Sequence, residues 1–138
     1  GPATGFVPLV KFYRFSVQKT FPILQSDYLL PPNGRNFITL LLGNEQLKKI
    51  VNGIFQRYGL KLMFKTQTNE IEVVKQLDDT FISYPYELVS DTLQRVVFHL
   101  SAILSNQQSI LVFEEPESHS FPYYTKYLAE LVDALEMS

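Results

Sequence analysis

One short stretch constrains this chain more than any other: Ile110-Leu111-Val112-Phe113 followed at once by Glu114-Glu115-Pro116-Glu117. A short unbroken apolar run is the pattern of a strand covered on both faces, and such strands belong to parallel sheets. The run therefore predicts a strand over Ser109–Phe113 in a parallel sheet. Its acids would stand at the carboxyl end of that strand, where α/β folds place their ligand sites. Three acids in four residues repel one another, and burial alone gives no reason for them.

The remaining chain supplies the helices and turns that a parallel strand requires. Residues 11–17 alternate polar with apolar (Phe12, Tyr13, Phe15, Val17) and read as a first strand. Pro22 and Pro31-Pro32-Asn33-Gly34 then mark a loop. From Glu45, Leu47, Ile50, Val51, Ile54, Phe55 and Tyr58 recur every three or four residues, an amphipathic helix that stops at Gly59. Residues 60–66 and 70–77 alternate about Gln67-Thr68-Asn69 and read as a β-hairpin. Residues 80–88, interrupted by Pro85, are at best a short edge strand. Residues 91–104 carry Leu93, Val96, Val97, Leu100, Ile103 and Leu104 on one stripe, a strongly apolar helix opened by Ser90-Asp91. Pro122 stands in the first turn of a last helix bearing Tyr124, Tyr127, Leu128, Leu131, Val132 and Leu135.

Composition narrows the chemistry. The chain has 138 residues, no Cys and two His, which excludes a disulfide framework, a Cys-based zinc site and a thiol nucleophile. Its length suits a single domain, residues 1–138. Residues 1–8, opening Gly-Pro-Ala-Thr-Gly without Met, are expected to be a tag remnant or disordered. No apolar run approaches the roughly 18 residues of a membrane span, so the expectation is a cytoplasmic chain with no membrane partner. Basic residues dominate up to Lys75 and acidic ones beyond it, but the Lys and Arg are dispersed and fit a solvated surface better than a nucleic-acid patch.

In nucleotide hydrolases an acid pair at a strand end works as a Walker B motif: the first acid holds Mg²⁺ and the second orients or deprotonates the attacking water. Glu114 and Glu115 fit those two roles. The plainer alternative is an acidic first turn of the following helix, favoured by its dipole. The order Leu88-Val89-Ser90-Asp91-Thr92-Leu93-Gln94-Arg95, apolar helix, Ile-Leu-Val-Phe-Glu-Glu-Pro-Glu, then Ser118-His119-Ser120-Phe121-Pro122 resembles the C-terminal lobe of ABC-type ATPases of the SMC and RecF-like branch. Pro31-Pro32-Asn33-Gly34-Arg35-Asn36 adds to the likeness with ATP-binding proteins of this group, which spans residues 12–131.

The resemblance implies an α/β fold, a partial P-loop NTPase lobe of the ABC ATPase head type with β-hairpin, signature helix and Walker B strand. It implies ATP and Mg²⁺ as cofactors: Glu114 as the metal-associated acid, Glu115 as the catalytic carboxylate, and Ser90, Asp91, Thr92 and Arg95 as the signature segment. Ser118 and His119 match the D-loop that crosses a dimer of heads. Ser90 would contact the γ-phosphate held by the opposite subunit, a role compatible with the plainer reading in which Ser90 or Asp91 simply caps the helix, with Gln94 reaching back to Asp91.

Three departures from the family pattern stand out. Glu114 replaces the usual Asp, Asp91-Thr92 replaces a Gly pair, and no G-x-x-x-x-G-K-[ST] occurs in the sequence. The implied partners are therefore a separate N-terminal lobe with the Walker A motif, a second head in a homodimer, and DNA as a candidate macromolecule. The chain alone is expected not to hydrolyse ATP. The alternative reading is a non-catalytic, ATPase-like scaffold or adaptor for protein or DNA. His99 reads as a structural histidine in its helix, and Tyr123, Tyr124 and Tyr127 as packing residues rather than base-stacking ones.

Overall fold

The computed structural model describes residues 9–114. Among the described residues the chain is a mixed α/β fold with two small sheets: β1 (Leu9–Tyr13), α1 (Phe37–Gly43), α2 (Glu45–Gln56), β2 (Leu60–Lys65), β3 (Glu70–Leu77), β4 (Thr80–Pro85), α3 (Asp91–Ser105) and β5 (Ser109–Phe113). A 3-10 turn, Tyr86–Leu88, leads from β4 to α3. β1 and β5 form a two-stranded parallel sheet, and β2, β3 and β4 an antiparallel sheet in that order.

The parallel sheet aligns Tyr13 with Phe113 and Lys11 with Leu111. The Tyr13 and Phe113 rings stack at 5.7 Å, and the inner face they share meets Phe98 of α3. The opposite face carries Val10, Phe12, Ile110 and Val112, all substantially exposed. The expected coverage of β5 on both faces is thus corrected: Leu111 and Phe113 pack against the core, while their neighbours alternate outward. The first strand is also shifted. It ends at Tyr13 because the Arg14 N–H leaves the ladder to donate to the Pro32 carbonyl at 2.8 Å.

The antiparallel sheet follows the hairpin alternation. Leu62, Ile71 and Val73 point inward and are buried. Asn69 takes the left-handed conformation, φ 57°, at the β2–β3 turn, as Asn tolerates better than most residues. β4 is an edge strand, as β2 is, and ends at Pro85.

α2 buries Leu47, Val51, Ile54 and Phe55, one apolar stripe, against β2 and α3. Fully burying each such side chain contributes about 1.5–3 kcal/mol. The helix ends at Gln56, two residues before the apolar periodicity does. Gly59 follows with φ +71°, the left-handed conformation available to glycine without a Cβ clash.

Four rings from four parts of the chain close the core: Phe21 of the loop, Phe37 of α1, Phe55 of α2 and Tyr86 of the 3-10 turn, with centroids 5.5 to 6.1 Å apart. Burial pushes the Tyr86 hydroxyl well above the ordinary tyrosine range. Two features hold the loop upstream of α1. Asn36 is fully buried; its Oδ1 accepts the Leu30 N–H at 2.8 Å, and its Nδ2 donates to the Tyr28 carbonyl at 3.0 Å. Gly34 has φ +70°, and a Cβ there would meet buried Leu29 at 3.0 Å.

Candidate functional site

Two of the expected site segments fall within the described residues: residues 90–95 at the start of α3, and Glu114 at the end of β5. Glu115, Ser118, His119 and the helix expected after Pro122 lie outside the described residues.

Ser90 is the N-cap of α3. Its backbone is extended, φ −53° and ψ 141°, its Oγ accepts the Leu93 N–H at 3.2 Å, and its carbonyl accepts the Gln94 N–H at 3.0 Å. The cap satisfies one of the free N–H groups of the first turn and leaves others facing outward. Gln94 does not close a capping box. Its Nε2 donates to the carbonyls of Val89 at 2.9 Å and Glu87 at 3.3 Å, so this buried amide ties the 3-10 turn to the helix instead.

Asp91 and Arg95 meet each other. Arg95 Nε lies 2.7 Å from Asp91 Oδ2, one helical turn apart, and the guanidinium stands 4.9 Å from the centre of the Phe15 ring. The pair offsets the Asp91 charge close to the positive end of the α3 dipole. Thr92 lines a cavity beside Ser90. This cavity, about 580 Å³, lies between α3 and the inner face of the antiparallel sheet, and its wall includes Tyr58, Lys75 and Tyr84. Sequence reasoning did not single out these three residues. Lys75 follows the last buried residue of β3, Val73, and is exposed at the cavity rim.

Glu114 is exposed at the carboxyl end of the parallel sheet, and its N–H extends the ladder by donating to the Tyr13 carbonyl at 2.8 Å. The preceding residue, Phe113, packs on the His99 ring at 4.4 Å. His99 lies nine positions beyond Ser90 along α3, about 13 Å at 1.5 Å per residue. Ser90 and Glu114 therefore belong to separate ends of this surface. His99 itself is 3% exposed. Burial, with the Arg95 charge as a lesser cause, pulls its pKa down to about 4, so it is a neutral packing residue at neutral pH.

Among the described residues no helix is long and apolar enough to cross a membrane. Compared with known proteins, the chain matches no family model, no curated protein and no solved structure.

Proposed function

We propose that the chain is the C-terminal lobe of an ABC-type ATPase head, contributing the signature loop and Walker B strand to ATP binding and hydrolysis in a dimer of heads. One arrangement supports this reading above the rest: β5 runs parallel to β1 and is followed at once by Glu114, and the helix that leads into it, α3, begins with a hydroxyl cap at Ser90. The first is the position of an acid at the carboxyl end of a parallel sheet, where α/β folds act on ligands. The second is a helix N-terminus suited to a phosphate.

The residues present fit Mg²⁺ in a particular way. Among the described residues no group of three or more His, Asp or Glu side chains could hold a metal, and in this reading Glu114 would supply one carboxylate. Mg²⁺ commonly takes one or two carboxylates and fills its shell with water and nucleotide phosphates. When bound, the ion would neutralise charge on the transferred phosphoryl group. In this assignment Glu114 would hold the metal, Glu115 would accept the proton of the attacking water, and Ser90 would donate a hydrogen bond to the phosphate of a nucleotide carried by the opposite head. Thr92 flanks that contact. Arg95 is a positioning residue that keeps the Asp91 carboxylate turned to itself. Ser118 and His119 are assigned to the contact between heads. The Walker A motif comes from a separate lobe.

The test is Glu115→Gln in the full-length parent, with steady-state ATPase activity and the ATP-dependent dimer fraction measured together. Removing the base while keeping shape should slow turnover by about 10² to 10⁴ and preserve ATP-bound dimers. Undiminished hydrolysis would remove Glu115 from catalysis and leave it as an acid in a helix first turn.

A further inference from the structure

Among the described residues the antiparallel sheet has two free edges, β2 and β4, and they are built differently. The β2 edge carries Lys61 and Lys65, both exposed. Charged side chains, lysine above all, guard edge strands against pairing with another chain. The β4 edge has no such guard: Thr80-Phe81-Ile82-Ser83-Tyr84 holds no charge, and Pro85 stands only at its end. All of these residues but Ser83 are of types enriched in strands.

Packing inside the chain does not account for the apolar side chains of this edge. Phe81 pairs with Gln76 and Ile82 with Lys75 on β3, and neither belongs to the core. Phe81 is 71% exposed and Ile82 51%. An uncharged apolar edge of this kind is a template for another strand.

The sequence of β4 fits its own copy. A two-fold axis normal to the sheet keeps each side chain on its own face, so an antiparallel self-pairing must centre on a residue. Centred on Ile82, it sets Ile82 opposite Ile82 of the second copy, Thr80 opposite Tyr84, and the large Phe81 ring opposite the small Ser83. The two Phe81 rings become diagonal neighbours within reach of each other. Charge selects this centre over the adjacent ones. An axis at Ser83 would oppose Asp79 to Glu87, and like charges directly opposite are destabilising. An axis at Phe81 would draw Asp78 and Asp79 into the ladder against Tyr84 and Ser83. Only the Ile82 axis pairs Thr80 to Tyr84 wholly with themselves.

We propose that two copies of the chain pair β4 with β4, antiparallel about Ile82, to make one continuous sheet with three strands from each copy. This contact needs no nucleotide and is separate from the dimer of heads.

The chain has no Cys, so single cysteines report the pairing directly. In the 138-residue chain without ATP, Ile82→Cys should form a covalent dimer on exposure to oxidised glutathione, because opposed Cβ atoms lie about 4.5–5.5 Å apart, close to disulfide reach. Thr80→Cys would face its own copy four residues away, about 13 Å along the strand, and should cross-link at least about tenfold more slowly. Sedimentation of the unaltered chain should show dimers from about 0.1 mM upward, the range of a small interface. Ile82→Lys, which sets two ammonium groups face to face, should raise that concentration at least about tenfold, whereas Met63→Lys on the β2 edge should leave it unchanged.

A strict monomer up to about 1 mM, Thr80→Cys linking as fast as Ile82→Cys, or undiminished association of Ile82→Lys would each overturn the proposal. Should the Ile82 variants lose their circular dichroism signature of folding, Phe81→Lys and the concentration series of the unaltered chain decide by the same criteria.

Discussion

Asn36 shows how a loop residue does the work of a core residue. Its two side-chain bonds satisfy backbone groups of Leu30 and Tyr28 that α1 cannot reach, and the same segment is fastened again where the Leu29 N–H donates to Ser105 Oγ at 2.9 Å. Asn36→Ala should therefore destabilise the chain by about 2–4 kcal/mol, because it leaves two backbone groups without their bonds. Urea unfolding measures it; a loss below about 1 kcal/mol would show that water replaces the amide.

His99 gives a prediction in pH. A histidine whose folded pKa lies below its unfolded value keeps its full contribution above the unfolded pKa and loses it as protonation favours the unfolded chain. With pKa values of about 4 folded and 6.5 unfolded, stability should fall as pH drops from about 6.5 toward 4. The total loss is about 3 kcal/mol. His99→Phe should flatten that slope, which paired denaturant titrations at pH 7 and pH 4.5 would register.

Among the elements, α3 is a packing helix whose Ser90 cap carries the proposed phosphate contact. Ser90→Ala should cost about 1 kcal/mol through loss of the cap. Ser90→Asp should restore that stability, since aspartate caps equally well, yet it sets a negative charge where the phosphate would sit. In the proposed ATPase head the Asp variant should fold normally and lose ATP-dependent dimers; retained dimers would reduce Ser90 to its capping role.

What was legible at this scale follows period and punctuation. α2 and α3 were clear because apolar residues at spacings of three and four persist over several turns, and the hairpin was clear because its alternation breaks at Asn69. α1 was not legible. Phe37-Ile38-Thr39-Leu40-Leu41 has no polar spacing, and its would-be capping side chain, Asn36, is committed to Tyr28 and Leu30 instead of its own helix. Asn44, which caps α2 by accepting the Leu47 N–H at 3.0 Å, separates the two helices and marks a start that Glu45 alone only hinted at. α3 with its Ser90 cap and the place of Glu114 just past β5 were readable from local pattern. The cavity was not, because Tyr58, Lys75 and Ser90 come together only when α2, β3 and α3 pack.

For the molecule as a whole, the pairing of β1 with β5 decides in what order the chain can assemble. Lys11 of β1 is bonded to Asn106, 95 positions away, just ahead of β5. Everything between them, with its four-ring core and hairpin, makes contacts that close earlier in sequence. Long-range parallel pairing costs the most chain entropy and is slow to form. The parallel sheet is accordingly expected to be the last structure acquired, so that a growing polypeptide would carry its first strand unpaired until residue 113 becomes available. Val10→Ala and Ile110→Ala should speed unfolding while leaving the folding rate nearly unchanged, whereas Val73→Ala in the hairpin should slow folding. Stopped-flow kinetics on the three variants would test the order, and slower folding from the Val10 or Ile110 change would place the sheet early instead. Under this order Glu114, the acid proposed as the metal ligand, follows the element completed last, and a chain interrupted before β5 would hold the Ser90 cap without it.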